Sequence, residues 1–220
     1  MKTDKGTGWM LHCGIGLAAY GMLAACQAAS LNVQLSDGAG AALQDAVVAA
    51  IPEGGAPAKS NAGLIKIEQN GRKFIPAVTV LQTGSAVSFP NLDTVRHHIY
   101  SFSPAKKFEM KLYSGVPSEN VVFDKPGVVT LGCNIHDKMI AWVVVVDTPY
   151  FAKSDAKGEL KLDLPKGKYN LRVWHAQQAG SASAEQSLQI TEQSQHLQIK
   201  VQTKGAPPLK QETKADELIY

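Results

Sequence analysis

From Leu31 onward the apolar positions recur every second residue rather than every 3.6. Glu159-Leu-Lys-Leu-Asp-Leu164 alternates strictly, and so does Leu197-Gln-Ile-Lys-Val201. Glycine and proline interrupt the pattern about every ten residues, at Ser36-Asp-Gly38, Gly84, Pro126-Gly127, Lys157-Gly158 and Pro165-Lys-Gly167. No amphipathic helix longer than about three turns is readable, and residues 39–50 are the one ambiguous stretch. Val143 to Val146 is β-branched without alternation, which predicts a strand buried on both faces. The pattern predicts an all-β chain built of sandwiches. Residues 176–186 read as a long polar loop, residues 203–220 as a solvated tail, and no tandem repeat is present.

The first thirty residues follow a different logic. Lys2 and Lys5 precede an apolar stretch from Trp9 to Ala25, and small residues follow to Ser30. That order is the order of a secretory signal. Two cleavage chemistries fit it. Leu23-Ala24-Ala25-Cys26 resembles a lipobox, which would leave Cys26 lipidated; cutting after Ala28 would release a soluble protein beginning Ala-Ser-Leu. The longest later apolar run, Met139 to Val146, has eight residues. A membrane span needs about twenty, so no transmembrane segment is expected after signal removal.

Composition narrows the function classes. Of 220 residues, 45% are apolar and 19% charged, enough for a real core. Lys+Arg 22 against Asp+Glu 19 is too even for a nucleic-acid binder. Removing residues 1–28 takes Lys2, Lys5 and Asp4, so +3 becomes +2. It also takes Cys13 and Cys26, leaving Cys133 as a lone thiol in an oxidising compartment. Such a thiol is buried and inert, intermolecular, or held by a metal.

Around Cys133 the metal reading gains weight. Gly132-Cys-Asn-Ile-His-Asp-Lys-Met139 joins two β-branched strands, placing Cys133, His136 and Met139 at i, i+3 and i+6. In one extended strand these side chains would stand about 10 Å apart on alternating faces; a tight loop can turn them to one point. Upstream, Asn91-Leu-Asp-Thr-Val-Arg-His97-His98-Ile-Tyr-Ser offers a further imidazole. Strand parity leaves His97 and His98 open, because Ile99 favours the first while Tyr100 and Phe102 favour the second. Thiolate, imidazole and thioether are donors that favour copper, and two His, one Cys and a distant Met define a blue-copper site. Zinc is disfavoured because Met binds it poorly and a fourth Cys or His is missing. His175, His196 and Met110 are read as edge or packing residues.

Cys-x2-His-x2-Met followed by an apolar strand resembles the ligand loop of amicyanin, a small cupredoxin. Phe89-Pro-Asn, His97-His-Ile-Tyr-Ser-Phe-Ser, Phe123-Asp-Lys-Pro-Gly and Cys133-Asn-Ile-His are similar to stretches of exported bacterial methylamine-utilisation or cupredoxin-like proteins. The resemblance implies a Greek-key cupredoxin β-sandwich over residues 59–147. It also implies one copper ion, Cu(I)/Cu(II), per chain, held by His97, Cys133, His136 and Met139, with His98 the alternative ligand. Cupredoxins usually carry Asn after the first ligand His, where this chain has His98. Amicyanin-like loops carry Pro beside the second, where this chain has Ile135 and Asp137. Asp137 and Lys138 put charge beside a histidine edge that in cupredoxins opens to an apolar docking patch.

Lys153 to Trp174 resembles a carboxypeptidase-regulatory-like, transthyretin-like sandwich, whose opening strands are matched by Leu31-Asn-Val-Gln-Leu-Ser-Asp-Gly38 and Asp45-Ala-Val-Val48. The domain expectation is therefore a signal peptide over 1–28 and a second, Ig-like sandwich split between 29–58 and 148–204. The cupredoxin is inserted at 59–147, and a polar tail covers 205–220. The functional expectation is an exported, periplasmic electron-transfer protein that is not an enzyme, working with a redox partner such as a dehydrogenase or cytochrome. A copper carrier, buffer or sensor is the alternative, and a lipid anchor at Cys26 the alternative to a soluble product.

Overall fold

The computed structural model describes residues 29–54, 63–180 and 184–204; residues 1–28, with Cys13 and Cys26, and 205–220 lie outside them. The described residues form seventeen strands. The first seven are β1 (Ala29–Asp37), β2 (Val47–Pro52), β3 (Ile65–Lys66), β4 (Glu68–Gln69), β5 (Phe74–Ile75), β6 (Val78–Gln82) and β7 (Ser85–Ser88). Then come β8 (His97–Ser103), β9 (Lys106–Tyr113), β10 (Val121–Phe123), β11 (Gly127–Cys133) and β12 (His136–Val146). The last five are β13 (Phe151–Lys153), β14 (Glu159–Leu164), β15 (Gly167–Trp174), β16 (Ala184–Ile190) and β17 (Gln195–Val201). The fold is all-β, and among the described residues no helix is long and apolar enough to cross a membrane.

Strands from the two ends of the chain share sheets with each other, in the orders β14-β1-β17 and β13-β2-β15-β16. Their inward residues, among them Leu31, Val33, Leu35, Val48, Leu162, Leu164, Leu171 and Ile190, form one apolar cluster. The middle strands form β10-β7-β3 and β6-β12-β11-β8-β9 around a second cluster, with β4-β5 as a separate hairpin. Val143 and Val145 face that second cluster, whereas Val144 and Val146 face a third that contains Val47, Ala49 and Val78. One β-branched run thus serves two apolar faces, the reason it lacks alternation. At the junction the rings of Trp142 and Trp174 lie 6.3 Å apart. Lys153 there pairs with Asp45 at 2.6 Å and donates to the Val78 carbonyl at 3.0 Å.

Two sequence expectations change here. The stretch 39–50 holds a turn and the start of β2 rather than a helix, because Asp37 accepts the amides of Ala39 and Ala41 and Asp45 takes a positive φ of 61°. The polar loop placed at 176–186 ends sooner, since β16 begins at Ala184 and pairs with β15. Its polar composition suits an edge strand with one face to solvent.

His175, just past β15, donates from Nε2 to the Gln44 carbonyl at 3.1 Å. Burial holds its pKa below the usual histidine range, against the opposing pull of that carbonyl and Asp45. The unfolded chain therefore binds a proton more readily, so this group's contribution to stability is lost as pH falls below the ordinary histidine value. In thermal melts of the metal-free protein from pH 7.5 to 5, His175→Gln should flatten the acid-side fall; an unchanged slope would remove His175 as a cause.

Candidate metal centre

The β11–β12 connection is a two-residue hairpin in which Asn134 and Ile135 turn and Cys133 pairs with His136. On the next pair of the ladder Gly132 faces Ile140, so residues 137–139 bulge out of register. The bulge matters for parity. In a regular strand His136 and Met139 would project to opposite faces. With it, Met139 joins Cys133 in the core cluster of the middle strands while the ring of His136 still faces Cys133. The hairpin is fastened to β8 by the Asn134 N–H, which donates to the His98 carbonyl at 3.0 Å. A backbone contact thus sits where the cupredoxin resemblance leads one to expect an Asn side chain.

Strand β8 turns His97 inward, fully buried, and His98 outward, where its Nε2 meets Glu109 Oε1 at 2.8 Å. Tyr100 and Phe102 share the outward side with His98, and Phe102 is 78% exposed. These aromatics suggested inward parity from sequence; they cover the outside of the sheet instead. Gly132 makes this comfortable, since any Cβ there would lie 2.8 Å from the Tyr100 ring.

His97 Nδ1 lies 3.7 Å from Cys133 Sγ, and His136 Nδ1 lies 3.6 Å from it. The three donor atoms fall within 4.8 Å of one another, and the two imidazole rings meet edge-on at 5.0 Å. A metal with N and S bonds of ordinary length sets a sulfur and a nitrogen ligand about 3.5–3.8 Å apart at tetrahedral to trigonal angles, and both sulfur–nitrogen distances here match that. A thiolate and two imidazoles suit copper, and Met139 is buried in the same apolar core cluster as Cys133. Cys133 is a free, buried cysteine. His175 and His196 take no part: the first is bound to Gln44, and the second lies exposed on β17. Met110 packs against the middle core.

Several polar neighbours were not singled out from sequence. Asn91, buried, donates from Nδ2 to the carbonyls of Val95 and Tyr113 and accepts the Asp93 N–H, which shapes the loop before His97. Tyr113 pairs across the ladder with His97, donates its hydroxyl to the Phe89 carbonyl at 2.6 Å and accepts from Gln69 Nε2 at 2.5 Å. Burial pushes its pKa up to about 12; the Gln69 N–H opposes this and the nearby Cys133 charge adds to it. Burial also holds the His136 ring below the usual range, with repulsion from His97 and Arg72 adding and Asp93 opposing. The neutral imidazole is the form that binds a metal. Asp93 accepts from His97 Nε2 at 2.7 Å. The available signal was its position four residues before His97, together with the Asn70-Gly71 pair of a tight hairpin turn.

No protein-family model matches the sequence, and no curated protein matches it. Among solved structures, a copper-containing nitrite reductase (NirK) from Thermus scotoductus SA-01 is 22% identical over 41% of this chain and 25% of that chain, with a TM-score of 0.36. A novel purple cupredoxin from Nitrosopumilus maritimus is 23% identical over 37% of this chain and 99% of its own, with a TM-score of 0.34. A reduced-state variant of amicyanin is 19% identical over 44% of this chain and 98% of its own, with a TM-score of 0.33. The chain thus covers a quarter of the reductase and nearly all of the two smaller proteins.

Proposed function

We propose that the protein is an exported copper-binding, cupredoxin-like electron carrier whose metal would be held by His97, Cys133 and His136, with Met139 as a further, weaker donor. The observation that carries this reading is the convergence of one thiolate and two imidazole nitrogens within 4.8 Å, with the thiol buried. Copper held by such a set would supply one-electron redox chemistry. The hairpin and the β8 ladder hold the donors before any metal arrives, which keeps reorganisation small. Cys133, deep in the core, supplies the main electronic route, and half-buried His136 the exit toward solvent.

Ile135 beside that ring, and Leu92 and Val95 on the loop leading to His97, are exposed apolar residues. They offer a redox protein partner, a dehydrogenase or a cytochrome, a surface near the exit, with Asp137 and Lys138 adding charge at its edge. Four protein ligands leave no free position for a substrate, so turnover is not part of this reading. The sheets formed by the chain's two ends are read as the split transthyretin-like sandwich, and the periplasm as the compartment.

The test is to load the purified protein with Cu(II) and record visible absorption through a reduction and reoxidation cycle. An intense thiolate-to-copper band that bleaches reversibly is expected, retained in His98→Ala and lost in His97→Ala. Colourless binding of Cu(I) alone would favour a carrier or buffer, and retention of zinc without copper preference would defeat both.

A further inference from the structure

The ring of His97 is held from behind by a carboxylate that is itself held by backbone. Its Nε2–H donates to Asp93 Oδ2 at 2.7 Å while its Nδ1 faces Cys133 Sγ at 3.7 Å. An ionised carboxylate only accepts, so the ring proton belongs on Nε2 and the Nδ1 lone pair is left for a metal. We propose that Asp93 is a positioning residue and a built-in negative charge of the metal centre, one that favours divalent metal over Cu(I). This rests on the reading of His97 and Cys133 as ligands.

Three features of the surroundings support it. First, Asp93 does not depend on His97 for its own hydrogen bonds: Oδ1 accepts the Gly71 N–H at 2.6 Å and Oδ2 the Arg72 N–H at 3.0 Å. Second, those two amides converge because the β4–β5 turn puts both residues in the left-handed region, φ 61° at Gly71 and φ 56° at Arg72. Asn70 and Lys73 close that turn with reciprocal backbone bonds of 3.0 and 3.3 Å. Left-handed backbone is unfavourable at a non-glycine residue, and successive amides so arranged make an anion-binding concavity. Third, the Asp93 N–H donates to Asn91 Oδ1 at 3.0 Å, so the residue is fixed at main chain and side chain alike.

The consequence is a matter of charge. With the Cys133 thiolate alone, the centre would carry +1 with Cu(II) and 0 with Cu(I). With Asp93 added the totals become 0 and −1, and a partly buried site penalises the net charge of the second. The protein therefore holds Cu(II), or Zn(II), more tightly relative to Cu(I) than the same ligands would with an uncharged partner behind His97.

The experiment uses the purified protein and Asp93→Asn, which keeps the size of the side chain. In the metal-free state, nitrogen-15 histidine spectra should show His97 as the Nε2–H tautomer in the parent protein; an Nδ1–H tautomer there overturns the proposal whatever the variant does. Affinities for Cu(II), Zn(II) and Cu(I) are then measured by competition. Removing a carboxylate behind a ligating histidine typically costs about 10–100-fold in metal affinity. The loss should fall on Cu(II) and Zn(II), with Cu(I) changed at least tenfold less. A tenfold change in the Cu(II)/Cu(I) ratio raises the reduction potential by about 59 mV. Equal losses for all three ions, or none, would mark Asp93 as a merely structural staple. A parent protein that forms no thiolate-to-copper band defeats the copper reading instead, and the tautomer measurement keeps the two failures apart.

Discussion

Cys133→Ser should abolish the thiolate-to-copper absorption and lower copper affinity by about 100- to 1000-fold, while leaving the metal-free fold nearly intact. The size of the first effect follows from the ligand set. Structural sites of four ligands bind zinc with about 10–16 kcal/mol, or about 2.5–4 kcal/mol per ligand, two to three decades of affinity. The loss of colour is total rather than partial, because serine has no sulfur to give the band. The small second effect follows from the surroundings. The two imidazole nitrogens now 3.6 and 3.7 Å from Sγ are hydrogen-bond partners for a serine hydroxyl, so the buried polar group is not orphaned. A change of about 1 kcal/mol shifts the melting temperature by only a few degrees in a protein of this size. Absorption titration and thermal melts together check both halves. A variant that keeps the band would show that Cys133 is not a ligand.

Gly158→Ala should destabilise the sheets made by the chain's two ends by about 2–5 kcal/mol, adding left-handed strain to overpacking. Gly158 has φ +77°, and a Cβ there would lie 2.3 Å from the Leu35 carbonyl oxygen, a backbone atom with no rotamer to change. The same residue accepts the Leu35 N–H at 2.8 Å, so moving it away breaks a bond to β1. Asp155 holds the turn from the other side by accepting the amides of Lys157 and Glu159. Denaturant unfolding followed by tryptophan fluorescence measures the loss. Because Gly158 is remote in sequence from the ligand strands and outside their core cluster, copper absorption in the folded variant should be unaltered. A stability unchanged within about 0.5 kcal/mol would mean that β1 does not sit against this turn.

Much of this architecture is legible as period. Leu160, Leu162 and Leu164 alternate in sequence and are all buried, and the unalternating Val143–Val146 run is buried on both sides. The spacing of Cys133, His136 and Met139 was legible, but the path by which Cys133 faces His136 while Met139 turns into the core was hidden. It requires a register break between Gly132 and Cys133, and a bulge is set by cross-strand pairing that no local pattern records. The orientation of the His97–His98 pair was illegible for a related reason: outward-facing Tyr100 and Phe102 imitate a core face. Asp93 was hardest to see. Its role depends on amides from a hairpin twenty residues earlier, and backbone donors have no identity in a sequence.

The pairing of β1 with β14 and β17 has a temporal side. Leu31 lies opposite Leu162 on one neighbour and Gln195 on the other. During synthesis, β1 emerges before the other described strands yet has no partner until more than a hundred further residues have followed. The strands carrying His97, Cys133 and His136 lie between and pair with one another and with β6 and β9, so all their partners are present earlier. The central sheets can thus close, and gather the three donors, while the first strand is still waiting; long-range pairing of this kind is slow. An unpaired strand with Leu31, Val33 and Leu35 on one face is also adhesive to other chains. Its exposure time is set by how quickly Gln195–Val201 arrives to complete the sheet.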